Sequence, residues 1–377
     1  MDKLIIYDTS DFETFPIGGQ LTSVGNFLRF LSVEHSDFVP KVLLVGITTI
    51  KSELGKIKDI QIGNSSFKFL PVVYRSSDLS NVQSSLRLEF VNGLFKFRKS
   101  IPVTKFTVNY IHTPEAFIFI RTCHPSAKVA VFSHGSFFNM TKGFRFHKKK
   151  IIFALFDCFI KLLLKKADVI FTLDEDSYSA YIKYNSNVYP VENSVVLNDE
   201  NLLRQLHTPC RLLFVGRLSK VKRIDTIIEA LSQVSDVTLS IVGDGEEGAS
   251  LHAYAEDLGV TDRVNWYGAV SPSEVNLIMK EHDILVMNSS IEGKPMTIIE
   301  GLKEGLPIIT TDVGGIADMV DCNCAYFTNG SACSINDGIQ TILSDYCTFS
   351  ECAYENAKKY DYLNVNECIY MELIKLS

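Results

Sequence analysis

Arg211-Leu-Leu-Phe-Val-Gly216 opens the stretch that decides the fold. It is a short apolar run closed by glycine, and Ile224 to Leu231 follow with apolar positions at helical spacing. The pattern then repeats. Val237-Thr-Leu-Ser-Ile-Val-Gly243 reads as a strand, Leu251 to Leu258 as a helix, and Arg263-Val-Asn-Trp-Tyr-Gly268 as a strand. Ser271-Pro-Ser-Glu274 is a capping box with proline at the first helical position, opening a helix that runs to Lys280. Ile284-Leu-Val-Met-Asn288 and Ile308-Ile-Thr-Thr311 complete the series. Strands that alternate with helices imply a parallel sheet covered on both faces.

The N-terminal half repeats this style less regularly. Strands are expected at Leu4–Tyr7, Lys41–Ile47, Thr107–His112, Lys128–Ser133 and Asp168–Leu173, with a helix near Thr22–Leu31 after a loop holding Gly18 and Gly19. At 377 residues the chain exceeds what one hydrophobic core supports. The expectation is therefore two α/β domains, residues 1–192 and 209–377, joined by a polar linker at 193–208. The last helix is the piece that could cross back to the first domain. Paired αβα domains bind ligands at the carboxyl ends of their strands, in the cleft between them.

Glu292-Gly-Lys-Pro-Met-Thr-Ile-Ile-Glu300 carries the chemistry. Pro295 is expected to start a helix, because its fixed φ suits that position and its missing N–H is not needed there. Glu292 then ends a loop and Glu300 lies on the helix. The N–H groups from Lys294 to Thr297 are left to meet an anion. One carboxylate can take sugar hydroxyls and the other a ribose, with phosphate between them.

Two acidic motifs compete for attention. Gly243-Asp-Gly-Glu-Glu-Gly248 matches the dinucleotide fingerprint after a strand, with Asp262 downstream, so a NAD-dependent oxidoreductase is a rival reading. Against it, Asp244, Glu246 and Glu247 would place three carboxylates where a pyrophosphate must lie, and the motif follows the second strand of its domain rather than the first. Asp174-Glu-Asp176 resembles a metal-binding triplet but reads better as the cap of the following helix. The nine cysteines are scattered without a C-x-x-C pair, and no metal site is expected.

Taken together, these residues resemble glycosyltransferase family 4, retaining nucleotide-sugar transferases of the GT-B fold. Phe214-Val-Gly-Arg-Leu-Ser-Lys-Val-Lys222, Ile241-Val-Gly-Asp-Gly245 with Val264-Asn-Trp-Tyr-Gly268, and Glu292-Gly-x-Pro…Glu300 with Gly305-Leu-Pro307 and Val313-Gly-Gly315 carry the resemblance. In the first half it rests on Gly18-Gly19 and Ser133-His134-Gly135 alone. Arg223, Lys294 and Asp318 depart from the family pattern, which often has glycine, a small or aromatic residue, and glutamate there. The resemblance implies two Rossmann-like domains facing each other across a cleft. Arg217 and Lys222 would meet the donor diphosphate, Glu292 the donor sugar and Glu300 the ribose. Gly293, Lys294, Pro295, Met296 and Thr297 would line the donor site. Gly18 and Gly19 would let backbone approach the phosphates, and His134 would lie near the reacting sugar. Trp266 and Tyr267 either wall the base pocket or pack in the core. No covalent nucleophile stands out; the leaving phosphate would deprotonate the acceptor, without metal or any cofactor beyond the nucleoside-diphosphate sugar as substrate.

The charge distribution suggests where the acceptor comes from. Residues 1–200 carry a net +5 and residues 201–377 a net −12, within an overall −7. Phe144-Arg-Phe-His-Lys-Lys-Lys150 leads into an apolar helix ending at Lys166. A basic amphipathic helix can lie on anionic lipid, so residues 144–166 are expected to contact a membrane. The chain has neither the basic start nor the cleavage site of a signal peptide, and a cytoplasmic protein is expected, peripheral on the inner face of the cytoplasmic membrane. The function implied is sugar transfer to a saccharide acceptor, lipid-linked, in lipopolysaccharide O-antigen, capsule or exopolysaccharide synthesis, with no nucleic-acid partner. A GT-B epimerase or phosphorylase, or a non-catalytic partner subunit, is the alternative.

Overall fold

In a computed structural model, residues 1–13, 19–76, 85–135, 150–197, 204–321 and 323–377 are described. By contacts the chain divides into two compact units, Met1–Ser194 with Tyr362–Ser377, and Val195–Asp361. The linker expected at 193–208 thus falls largely in the second unit, and the final helix, Tyr362–Ile374, belongs to the first.

The first unit holds β1 (Lys3–Tyr7), β2 (Val42–Thr48), β3 (Lys58–Ile62), β4 (Ser65–Tyr74), β5 (Thr107–Ile111), β6 (Lys128–Ser133), β7 (Val169–Thr172) and β8 (Val188–Pro190) in one sheet, ordered β3-β4-β2-β1-β5-β6-β7-β8. All neighbours are parallel except the β3–β4 hairpin. The hairpin and β8 were not legible in the sequence. Along β1, Ile5 and Tyr7 enter one core and Leu4 and Ile6 the other, so both faces of the strand are buried. That explains why β1 reads as a continuous apolar run.

The second unit holds β9 (Cys210–Val215), β10 (Val237–Val242), β11 (Val264–Gly268), β12 (Ile284–Met287), β13 (Ile308–Thr311) and β14 (Ala325–Thr328), ordered β11-β10-β9-β12-β13-β14 and parallel throughout. Leu212 and Phe214 of β9 face one core and Leu213 the other. The capping box forms as the sequence indicates: Ser271 Oγ accepts from Glu274 N while the Glu274 carboxylate accepts from Ser271 N at 2.8 Å. Asp174 caps the helix Glu175–Tyr181, its carboxylate accepting from Ser177 N at 2.7 Å.

In each unit the first strand lies inside the sheet, and the chain leaves it in both directions. The strand order therefore reverses between β1 and β5 in the first unit and between β9 and β12 in the second. Ligands of open α/β sheets bind at the carboxyl ends of the strands beside such a reversal. Among the described residues, no helix is long and apolar enough to cross a membrane.

The glycines of the fingerprint-like motif are used for packing. A Cβ on Gly243, which sits at φ +137°, would lie 1.9 Å from Gly216 O, and one on Gly245 would lie 2.3 Å from Leu218 O. The loop after β9 lies against them. A Cβ on Gly248 would meet only Leu218 Cδ1, at 3.7 Å. Gly243→Ala is therefore expected to cost more than about 2 kcal/mol in urea denaturation, whereas Gly248→Ala stays within about 0.5 kcal/mol. Equal costs at the two positions would contradict the packing account.

Candidate active site

The second unit gathers its site residues at the β9–β12 reversal. After β9 the chain passes through Arg217 and a short 3-10 turn, Lys220–Lys222. After β12 it runs through Asn288 to Pro295 into the helix Met296–Lys303. The two loops are sewn together. Ser290 N donates to Val221 O at 2.7 Å, and Arg223 Nε and Nη2 donate to the carbonyls of Asn288 and Ser289 at 2.8 and 3.2 Å. Arg223 itself sits in the left-handed region, at φ +46°. This is the position where the resembled family often has glycine. The departure puts a side chain where backbone freedom would serve, and the guanidinium offsets the strain by bonding the facing loop.

Lys222 Nζ forms an ion pair with Glu292 Oε1, which also accepts from Ser289 Oγ at 2.6 Å. Glu292 Oε2 has no partner among the described residues. The side chain of Arg217 is exposed and makes no hydrogen bond or ion pair among the described residues. Glu300 lies on the second turn of the helix, where burial raises its carboxyl pKa and Lys303 opposes the rise. Pro295 is the N-cap, with ψ 127°, so Met296 is the first helical residue, one later than expected. The first N–H groups of the helix, at Met296 and Thr297, have no carbonyl of their own helix to bond. The Val313-Gly-Gly315 turn closes on the other side. Gly315 N donates to Gly293 O at 3.0 Å, and a Cβ on Gly314 would lie 2.1 Å from Glu292 O. The stem of Lys294 crosses Gly315. Arg217, Lys222, Glu292, Gly293 to Thr297 and Glu300 thus belong to one set of loops. Trp266 packs against the core and stacks on His252 at 3.8 Å, whereas Tyr267 is exposed.

The first unit builds a second constellation at the β1–β5 reversal. Gly19 opens the helix Gly19–Glu34; Gly18 lies outside the described residues. His134 follows β6, and its Nε2 lies 2.9 Å from Nδ1 of His112, which follows β5. Asp8 follows β1, and one donor atom from each of the three side chains lies within 4.8 Å of the others. Asp8 Oδ2 accepts from Gln20 Nε2 at 2.7 Å. Asp8 Oδ1 and His112 Nε2 are buried without a partner among the described residues. Burial pushes the Asp8 carboxyl up to about 6, with the side chains of Gln20 and Ser10 opposing the rise. Burial pushes His134 down to about 3, and His112 well below its ordinary value, with His134 adding to the latter shift. The sequence reading found His134 but not Asp8 or His112. Each stands just past the end of a strand, and only the sheet order makes those strands neighbours.

The model of the family glycosyl transferases group 1 matches residues 203–360. The match covers less than half of the chain. The lipopolysaccharide 1,6-galactosyltransferase of Salmonella typhimurium (strain LT2) is 35% identical over 118 residues, 30% of this chain and 33% of that protein. The chain thus spans about a third of the length of that relative. The O-antigen biosynthesis glycosyltransferase WbnH of Escherichia coli is 26% identical over 275 residues, 71% of this chain and 76% of that protein. The solved structure of Anabaena Alr3699/HepE in complex with UDP superposes with a TM-score of 0.69 and 18% identity, over 99% of this chain and 100% of that one. The fold is GT-B, as in such structures.

A buried carboxylate with an unpartnered oxygen costs stability when ionised. The folded pKa of Asp8, about 6, lies above its ordinary value of 3.8, so its contribution to stability falls as pH rises from about 4 to 6 and stays low above. Asp8→Asn is expected to stabilise the protein at pH 7.5 by on the order of 2 kcal/mol, an advantage that fades below about pH 4. Thermal denaturation of both proteins across that range checks this; parallel curves would refute it.

Proposed function

We propose that the chain is a retaining glycosyltransferase that moves a sugar from a nucleoside-diphosphate sugar to a saccharide acceptor, lipid-linked, in lipopolysaccharide, capsule or exopolysaccharide assembly. The observation that carries the reading is the grouping at the β9–β12 reversal. An exposed Arg217 and the Lys222–Glu292 pair stand on facing loops, and a helix start with Glu300 on its second turn follows the second of them. Charge and hydrogen-bond partners for a diphosphate, a sugar and a ribose are therefore within one unit. The names of the relatives support the class of product, and HepE, solved with UDP, makes uridine diphosphate sugars the first donors to test.

The proposed chemistry needs no protein nucleophile. The bond from the sugar C1 to the diphosphate oxygen breaks, and the acceptor oxygen bonds C1 on the same face. The acceptor proton passes to the departing phosphate. Arg217 and Lys222 offset the charge that develops there, in place of a divalent ion. In the unliganded protein Glu292 already neutralises Lys222, so the diphosphate enters as a competitor for that ammonium. Lys222→Ala and Glu300→Ala each remove a charged contact worth roughly 1.5–3 kcal/mol. Both variants are expected to bind UDP-sugar about tenfold or more weakly in calorimetry with EDTA present throughout, without loss of folding. Unchanged affinity in both, or wild-type binding that vanishes with EDTA, would refute the assignment.

The acceptor is proposed to arrive from a membrane surface. The helix Lys150–Lys166 buries Ile160, Leu163 and Leu164, while Leu155 and Leu162 are 66% and 50% exposed and Lys165 and Lys166 are exposed near them. That is an outward apolar stripe ending in lysines. Residues 144–149 lie outside the described residues. Each lysine near anionic lipid contributes about 1 kcal/mol at low salt. Reversing Lys148, Lys149 and Lys150 to Glu is expected to release the protein from phosphatidylglycerol vesicles in co-sedimentation. Transfer to a short soluble acceptor should persist. Equal pelleting of wild type and variant would return the helix to ordinary surface.

A further inference from the structure

Asp8, His112 and His134 stand just past the ends of β1, β5 and β6, three adjacent parallel strands at the reversal of the first sheet. The loops that hold them are braced. His112 N donates to Tyr7 O at 2.9 Å, and Thr9 N to Thr113 Oγ1 at 3.2 Å. The His112 ring lies nearly parallel to Phe132, 5.2 Å away and inclined by 19°, and edge-on to Tyr110 at 4.5 Å. Its orientation is fixed by packing as well as by its bond to His134.

A carboxylate and two imidazoles invite a metal, but the distances favour a hydrogen bond. Two nitrogens on one tetrahedral zinc, each about 2.0–2.1 Å from it, stand about 3.3 Å apart. His112 Nδ1 and His134 Nε2 are 2.9 Å apart, the separation of a donor and its acceptor. With both rings neutral, one of these nitrogens carries the proton and the other receives it.

The unpartnered atoms decide which. An ionised Asp8 Oδ1 is only an acceptor, and His112 Nε2 is the other buried polar atom of the cluster without a partner. They can satisfy each other directly only when His112 Nε2 is protonated, because an ionised carboxylate cannot donate. His112 Nδ1 is then the acceptor, and His134 Nε2–H must donate to it. The nitrogen left on His134, Nδ1, bears a lone pair. The hydrogen bond that one ring nitrogen makes sets the state of the other.

We infer that Asp8 and His112 are positioning residues that hold His134 as its Nε2–H tautomer, with Nδ1 presented as an acceptor for a hydroxyl. The inference rests on the proposed transfer only in taking that hydroxyl to belong to a sugar. The depressed pKa of His134 fits a lone pair that stays unprotonated across the working pH range.

The test separates the tautomer from the reaction. Nitrogen-15 NMR of histidine-labelled protein, with His134 assigned by His134→Gln, is expected to show a neutral Nε2–H imidazole at position 134 from pH 7 to 8, where Asp8 is ionised. His112→Phe keeps an aromatic ring against Phe132 and removes both nitrogens. Asp8→Asn removes the charge and keeps an oxygen to accept the hydrogen bond from Gln20 Nε2. Both are expected to give His134 a mixed or reversed tautomer. With a UDP-sugar and an acceptor, kcat is expected to fall about tenfold or more, while donor affinity by calorimetry changes less than about twofold. Asp8→Glu should restore part of the wild-type spectrum. An Nδ1–H tautomer in the wild type would overturn the inference, as would spectra unchanged in both variants. So would stoichiometric zinc in the protein as purified, found by mass spectrometry. If no donor and acceptor pair reacts, the function reading fails while the spectra still decide this one.

Discussion

Both sites depend on one constraint of parallel sheets, that consecutive strands need not be neighbours. The chain lays down β1 and β9 first and then builds outward on both sides of each. The loops that leave the carboxyl ends at the reversal diverge, and the gap between them is lined by segments far apart in sequence. Lys222 and Glu292 meet across such a gap, as do Asp8 and His112. The sheet cores behind them are apolar on both faces, so charge concentrates where the strands end.

The two sites use burial differently. In the second unit the carboxylate of Glu292 is paired with an ammonium and a hydroxyl, and the strained backbone at Arg223 is held by bonds from its own side chain to the opposite loop. The local cost is compensated nearby. In the first unit Asp8 keeps an oxygen unpartnered and two neutral imidazoles share one hydrogen bond. Buried polar groups of that kind lower stability and are kept where their orientation matters.

The second unit was legible in its sequence because each of its signals is local. The strands of β9 to β13 are apolar runs ended by turns, the Ser271–Glu274 box lies within four residues, and Glu292 and Glu300 sit on one loop and the helix it enters. The hairpin Lys58–Tyr74 escaped because β3 alternates polar and buried residues without a strong apolar run. Asp8 and His112 escaped for a different reason. A lone aspartate after one strand and a lone histidine after another carry no shared pattern, and their partnership exists only once β1 and β5 pair. Gly243-Asp-Gly-Glu-Glu-Gly248 shows the converse: the spacing was real, and its cause was the close passage of the Gly216–Leu218 loop.

The return of Tyr362–Ser377 to the first unit makes the second an insertion within the first. Its two ends meet: Val195 and Asp361 form a parallel bridge, and Val195 N donates to Tyr360 O at 2.9 Å. A domain whose ends lie side by side can be exchanged between host proteins as a cassette, because the host sees the same short gap whatever fills it. The family match at 203–360 falls inside that cassette. The loops that bring Lys222, Glu292 and Glu300 together can thus be inherited as one piece, while the surrounding unit diverges around the same short gap.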